Sequence, residues 1–264
     1  MPATAMLQPH SFLWHYLWVG PCVLLAVLAL LTWRRGLHRL FPAFFVYMVF
    51  EAVQGLTLYA LDIIPSVTAQ AFWRADIFGL IIEGFVKFAV VWELFATLIR
   101  NRPSVARLGV RLIVCTATVL AALALLAAAQ APIAHFAILS YFRILEQTIY
   151  LIETGVMLFI FFFAAYFRLE WKRSSFGIAL GLSFSACVGL GVFAVDASGA
   201  VFEGRYLLDF LDMGTYHVCV LIWFYYLLSP EGWPSASIAV ASRSGAERDE
   251  SSPPVRKLGL NLAC

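Results

Sequence analysis

Seven long apolar runs, each closed off by a short polar or helix-breaking stretch, constrain this chain more than any other feature of it. They cover residues 13–33, 40–61, 71–99, 105–129, 133–167, 176–195 and 206–228. A helix needs about 20 apolar residues to cross the hydrocarbon core of a bilayer, and each run meets that length. Between them lie Arg34-Arg35-Gly36, the segment 62–65 ending in Pro65, Asn101-Arg102-Pro103, the segment 130–132, Lys172 to Ser175, and the Gly-containing stretch 198–204. Glycine and proline at these positions punctuate helices. The apolar runs are continuous rather than alternating, which disfavours a transmembrane β-barrel. The fold expected is therefore all-α: a polytopic membrane protein built as a bundle of seven transmembrane helices over 1–228.

Composition agrees. Of 264 residues, 62% are hydrophobic and 13% charged, and the mean hydropathy is +0.86. A soluble domain is roughly a quarter charged, so this chain lacks the polar surface to coat a water-soluble globule. A soluble enzyme, a disordered protein and a nucleic-acid binder are excluded. The net charge of +2 gives no reason to expect a polyanionic partner. The partner implied directly is the lipid bilayer, and the location a cell membrane, crossed several times (the inner membrane if the source is bacterial). No basic residue precedes the first run, which is long enough to span, so no cleavable leader is predicted.

The basic residues set an orientation. Arg34, Arg35 and Arg39 follow the first run. Arg100, Arg102, Arg107 and Arg111 surround the third connection, and Arg168, Lys172 and Arg173 the fifth. Arg243, Arg248, Arg256 and Lys257 lie in the tail. Those fourteen of the 18 Lys and Arg residues fall on alternate connections, whereas the opposite connections hold only Arg74 and Arg205. Positively charged loops stay in the cytoplasm. The expectation is an N-terminus outside, a C-terminus in the cytoplasm, and an odd number of spans. Residues 229–264, rich in Pro, Ser and mixed charge, read as a disordered cytoplasmic tail, too short for a signalling domain.

Two packing features are expected. Gly177, Gly181, Ser185 and Gly189 recur every four residues, a row of small side chains that permits close helix approach. Gly20-Pro21 should loosen the first helix near its outer end.

The spans carry more ionisable groups than lipid can tolerate without partners, because an ionised side chain at mid-bilayer costs about 2.5–3.5 kcal/mol on insertion scales. The second span has Glu51 and Gln54. The third has Asp76, Glu83, Lys87 and Glu93. The fifth has Arg143, Glu146, Gln147 and Glu153, and the seventh Asp209, Asp212 and His217. At about 100° per residue, Asp76, Glu83 and Lys87 share one face. So do Arg143, Glu146, Gln147, Tyr150, Glu153 and Thr154 on the fifth run, and Asp209, Asp212, Met213 and Tyr216 on the seventh. Glu83 precedes Lys87 by four, the favourable order for an intrahelical pair. These stripes are expected to face inward as a polar cavity or network bounded by the third, fifth and seventh helices, with Glu51 joining from the second. Asp76, Arg143, Glu146, Asp209 and Asp212 belong to its outer part, and Glu83, Lys87, Glu153 and Tyr216 lie deeper. Arg143 is a candidate partner for Asp209 or Asp212. Trp73, Tyr141, Tyr150, Tyr206 and Tyr216 are candidate aromatic lining. Acids outnumber bases in the network, which points toward cation, amine or proton handling.

Other chemistries fit poorly. The layout is similar to retinal proteins and seven-helix receptors in topology only, since the seventh run has no lysine for a Schiff base. Paired haem-ligating histidines are lacking, with His217 the main one inside a span. Gly181-Leu182-Ser183-Phe184-Ser185 lacks the glycine that a membrane serine protease needs after its serine. Cys22, Cys115, Cys187, Cys219 and Cys264 are scattered, without metal or redox spacing. No cofactor, metal site or phosphate-binding loop is expected, and nothing marks an enzyme. Three functions remain open. The first is a receptor-like or sensor-like protein that binds a small ligand or cation from outside and signals through a cytoplasmic or membrane protein partner. The second is a proton- or cation-coupled transporter or channel, although no inverted repeat is visible. The third is a structural or accessory subunit of a membrane complex.

Overall fold

The computed structural model describes the backbone of residues 10–100, 103–130, 137–197 and 205–229, with side chains over 10–100, 107–122, 144–195 and 207–229. Seven α-helices lie among the described residues: α1 (Phe12–Arg34), α2 (Pro42–Ile63), α3 (Ala69–Ile99), α4 (Pro103–Gln130), α5 (Ala137–Tyr166), α6 (Arg173–Ala197) and α7 (Arg205–Leu228). Each apolar run has thus become one helix, with ends displaced by a few residues. The segment 229–264, read as a tail, lies outside the described residues except for Ser229.

Local chemistry sets several of the helix ends. Ser11 caps α1, its hydroxyl accepting from the Trp14 amide at 3.3 Å. Thr68 does the same for α3 through the Ala71 amide, also 3.3 Å. Such caps satisfy one of the orphan amides of the first turn. Gly36, at φ 72°, takes the left-handed conformation that ends a helix after its C-cap. A single 3-10 turn, Leu37–Arg39, then leads to Pro42 at the start of α2. Pro21 lies inside α1, which runs on past it as one element.

Two helix ends are closed by other helices. Phe41 gives α2 no side-chain cap. Instead, the Glu93 carboxylate of α3 accepts from the Ala43 and Phe44 amides, both at 3.1 Å. At the same end of the bundle, Arg35 donates from its guanidinium to the Leu228 carbonyl, the last of α7, at 3.1 Å. A carboxylate at a helix N-terminus and a guanidinium at a C-terminus both complement the helix dipole.

The helices neighbour one another as a closed ring in the order α1, α2, α3, α5, α6, α7 and back to α1, with α4 packed outside against α5 and α3. Inside lipid, apolar burial does not favour one helix over solvent tails, so close packing and interhelical polar bonds hold the bundle together. The row of small residues on α6 serves that packing. Gly177 sits against Tyr226 and Gly181 against Trp223 of α7, while Gly189 receives the Tyr150 ring of α5. The Trp223 indole N–H reaches the Ile178 carbonyl at 3.4 Å, and Cys219 donates to Gly181 O at 3.2 Å. Trp223 also meets Phe44 and Tyr47 of α2 edge-on, at 5.3 and 5.9 Å between ring centroids. This buried aromatic layer fills the bundle on the Glu93 side.

The outward faces are apolar. Phe85 is 74% exposed and Phe162 73%, and Val23, Val27, Leu30, Val46, Val49 and Leu221 are exposed as well. Contiguous apolar surface on that scale is uncommon on water-soluble proteins and suits contact with lipid. Five helical segments, Phe12–Arg34, Pro42–Ile63, Ile144–Tyr166, Arg173–Val195 and Leu207–Leu228, are long and apolar enough to cross a membrane. Helix α3 is 31 residues long but is interrupted by Asp76, Glu83, Lys87 and Glu93.

Candidate functional site

Charges inside the bundle fall into two tiers. The upper tier surrounds a cavity of about 420 Å³ at the end where α1, α3, α5 and α7 begin. Carboxylates come from four of the surrounding helices: Asp62 of α2, Asp76 of α3, Glu146 of α5, and Asp209 with Asp212 of α7. Aromatic rings make up much of the rest, including Trp14, Trp18, Phe72, Trp73, Tyr150 and Phe193. No Lys or Arg lines it among the described residues. Asp62 and Asp209 are exposed at the rim. Carboxylates supply negative charge, and ring faces attract cations within about 6 Å, so the chemistry of this wall suits a positive guest. Its size lies within the range of small-molecule pockets, about 300–1,000 Å³.

The lower tier is built on Lys87. Its ammonium lies 2.9 Å from Glu83 one turn back on α3, and 3.3 Å from Glu153 of α5. Only 6% of the Lys87 side chain and 3% of the Glu153 side chain are accessible, against 23% for Glu83. The Tyr150 ring faces the same ammonium at 5.3 Å from its centroid. Tyr150 also lines the cavity, so one ring separates the two tiers. On the α7 side, the Tyr216 hydroxyl donates to Glu51 at 3.2 Å. The other Glu51 oxygen is buried with no hydrogen-bond partner. Glu153, also deeply buried, meets Lys87 as an ion pair at 3.3 Å.

The residues singled out from the sequence distribute across both tiers. Asp76, Glu146, Asp209 and Asp212 line the cavity. Glu83, Lys87 and Glu153 form the ion cluster beneath, and Glu51 meets Tyr216 across the bundle. Arg143 lies in α5, but its side chain falls outside the described residues, as do those of Tyr141 and Tyr206, so the proposed pairing of Arg143 with Asp209 or Asp212 does too. Of the expected aromatic lining, Trp73 and Tyr150 reach the cavity, whereas Tyr216 does not. Gln147, on the same expected stripe, is exposed. Helical phase places it at the edge of that stripe, beyond the arc that α3 and α6 cover. The bounding set is also wider than three helices, since α1, α2 and α6 contribute Trp14 and Trp18, Asp62 and Leu58, and Gly189 and Phe193.

Sequence reasoning did not identify the aromatic pair Trp14 and Trp18, or Asp62, as part of this wall. Their signal was their place at helix ends on one side, which by itself also fits interfacial anchoring. Among the described residues, no group of three His, Cys, Asp or Glu side chains is arranged to hold a metal ion. No family model matches the chain, and comparison with curated proteins and with solved structures finds no match.

Proposed function

We propose that this chain is a seven-span membrane protein that binds a small cationic ligand, of the organic ammonium class, in the acidic and aromatic cavity, and acts as a receptor or sensor. The cavity faces outside when the bundle is oriented by its basic loops, with the C-terminus in the cytoplasm. One observation carries the reading: a cavity of about 420 Å³ is walled by carboxylates and aromatic rings with no Lys or Arg among its described lining. Occupancy would be passed on through the helix ends to a separate cytoplasmic or membrane protein partner, with residues 229–264 as a candidate contact.

The transporter reading is disfavoured by what lies below. The layer of Phe44, Tyr47 and Trp223 is buried and occupies the bundle between the Lys87 cluster and the far end. Glu93, which would continue an acidic path, is bound instead to the start of α2.

The test is a thermal-shift screen of the full chain in detergent with organic ammonium compounds. A stabilising cation is expected, at an affinity weakened at least tenfold by Asp76→Asn or Asp212→Asn. Glu83→Gln, one tier down, should weaken it much less. A screen in which no ammonium compound shifts the wild type, or in which Asp212→Asn binds as well as wild type, refutes the proposal. Accessibility of a C-terminal tag only from the cytoplasmic side would support the orientation, and labelling from outside would reverse it.

A further inference from the structure

Trp171, in the connection between α5 and α6, borders two hollows at the end of the bundle away from the acidic cavity. One is an apolar groove of about 610 Å³ along α5, lined by Leu158, Phe161, Phe162 and Ala165, with Arg168 as its charged member. The other is a polar recess of about 160 Å³ at the start of α6, lined by Thr97, Glu170, Lys172 and Ser175. Trp171 lines both. It is held between Phe161 of α5 and Phe176 of α6, at 5.4 and 6.0 Å between ring centroids.

The recess holds an unanswered donor. Ser175 is 3% exposed, and its hydroxyl has no hydrogen-bond partner. A buried hydroxyl in that state forfeits a hydrogen bond, so the position calls for an acceptor from outside the chain. Lys172 is exposed and forms no ion pair among the described residues. Its carbonyl takes the Phe176 amide at 2.9 Å, which sets the recess at the N-terminus of α6, where the helix dipole favours an anion. The Thr97 hydroxyl already donates to the Glu93 carbonyl, at 2.8 Å. Glu170 is exposed and is the one acid lining either hollow among the described residues. A carboxylate beside Lys172 disfavours a second negative charge, so a phosphodiester fits better than a phosphate monoester.

The groove has a fixed basic group. Arg168 stands at φ 49°, in the left-handed position after α5. Its amide reaches the Ala165 carbonyl at 3.2 Å and the Leu169 amide the Ala164 carbonyl at 2.9 Å. Those two bonds make a Schellman ending, where glycine is the usual residue. Arginine there brings a guanidinium to the groove that glycine would not, and it forms no ion pair among the described residues. Arg100, Arg107 and Arg111 add positive charge at the same end. Leu158 and Phe162 are exposed on a helical segment long and apolar enough to cross a membrane. An apolar trough with basic groups at one end is complementary to an acyl chain with an anionic headgroup.

We propose that the two hollows together hold one anionic phosphodiester lipid of the phosphatidylglycerol class. Its phosphate accepts from Ser175 and pairs with Lys172 in the recess, and Arg168 flanks the headgroup. One acyl chain follows α5 over Leu158, Phe162 and Ala165. Trp171 lies between them at the level of the glycerol, where aromatic side chains are favoured in membranes. The site is independent of the acidic cavity and of what that cavity binds.

The experiment is native mass spectrometry of the full chain in detergent, titrated with dioleoyl phosphatidylglycerol, with dioleoyl phosphatidylcholine, and with glycerophosphoglycerol, the same headgroup without chains. One phosphatidylglycerol per chain is expected, bound more tightly than either of the others. Arg168→Gly suits the left-handed backbone and removes only the guanidinium, and Lys172→Gln removes the ammonium at an exposed position. Each should weaken phosphatidylglycerol by about fivefold, the effect of one basic residue near an anionic headgroup. Ser175→Ala, which changes no charge, should weaken both phospholipids alike, and Arg107→Gln on α4 should weaken neither. Equal retention of the two phospholipids by wild type, a measurement that needs no variant, overturns the proposal. So does phosphatidylglycerol binding that survives Arg168→Gly and Lys172→Gln, or that falls equally in Arg107→Gln. Glycerophosphoglycerol bound as tightly as phosphatidylglycerol would make the recess a site for free phosphodiesters and overturn the lipid assignment.

Discussion

Lys87 of α3 and Glu153 of α5 lie 3.3 Å apart with almost no solvent access to either. The pair joins two helices that are not consecutive in the chain, and Glu83 completes it at 2.9 Å from the same ammonium. Removing one member of a buried pair leaves an uncompensated charge, which costs about 3–5 kcal/mol. Lys87→Met should therefore destabilise the bundle strongly in reversible unfolding by a denaturing detergent. The triple change Lys87→Met, Glu83→Gln and Glu153→Gln should recover most of that loss, because no charge is then left unpaired. Equal stability of Lys87→Met and wild type would show that the cluster does not hold α3 to α5.

The Glu93 carboxylate on the Ala43 and Phe44 amides ties α3 to the otherwise uncapped start of α2. Loss of an N-cap acceptor costs about 0.5–2 kcal/mol. Glu93→Ala should fall in that range, and Glu93→Gln, which keeps one acceptor oxygen, should cost less than half as much. Hydrogen exchange read at Ala43 and Phe44 should quicken in Glu93→Ala while the Asp76 end of α3 stays unchanged. Unchanged exchange at those two amides would mean that the contact contributes nothing.

How much of this was legible beforehand differs from residue to residue. Glu83 and Lys87 were readable as a pair because a spacing of four fixes their geometry within a single helix. Asp76, Glu146, Asp209 and Asp212 were placed together because phase and orientation put them on inward faces at one end. Helical phase puts Glu153 on the inward face of α5, but its partner depends on the depth at which α5 slides past α3, which no local pattern encodes. Glu93 reads from the sequence as a polar group of the third span that would continue an acidic path toward the cytoplasm. A signal for its role did exist: Phe41-Pro42 opens α2 with no Ser, Thr, Asp or Asn in the capping position, so those amides needed an acceptor from elsewhere. The aromatic wall was only half seen, since Trp14 and Trp18 at a helix end fit an interfacial belt equally well until the ring of helices closes around them.

Gly181 and Gly191 lie on the same helix and should respond oppositely to a methyl group. A Cβ on Gly181 would run into the Trp223 indole, in the layer where Trp223 also meets Phe44 and Tyr47. Forced overpacking of that kind costs about 1–3 kcal/mol. Gly191 has open space around the same position, and alanine there gains about 0.5–1 kcal/mol from the reduced backbone entropy cost. Gly181→Ala should thus lower the unfolding midpoint and Gly191→Ala should hold or raise it. Two alanines of equal effect would show that α6 and α7 do not approach as closely as the Gly181–Trp223 contact requires.

Phe85 lies two residues before Lys87 on α3 and yet is 74% exposed, because two residues along a helix turn the side chain by about 200°. That contrast places Lys87 in the bundle interior and Phe85 on an outward face, which the seven-span reading turns toward lipid. A charge on the lipid face has no partner to recruit, so Phe85→Asp carries the insertion penalty of about 2.5–3.5 kcal/mol, whereas Phe85→Leu carries almost none. In a membrane-insertion assay of α3 with its neighbours, Phe85→Asp should reduce the inserted fraction by more than tenfold and Phe85→Leu should match wild type. Full insertion of Phe85→Asp would place that face in water or against protein, and would reverse the assignment of the α3 faces on which both the ion cluster and the cavity wall depend.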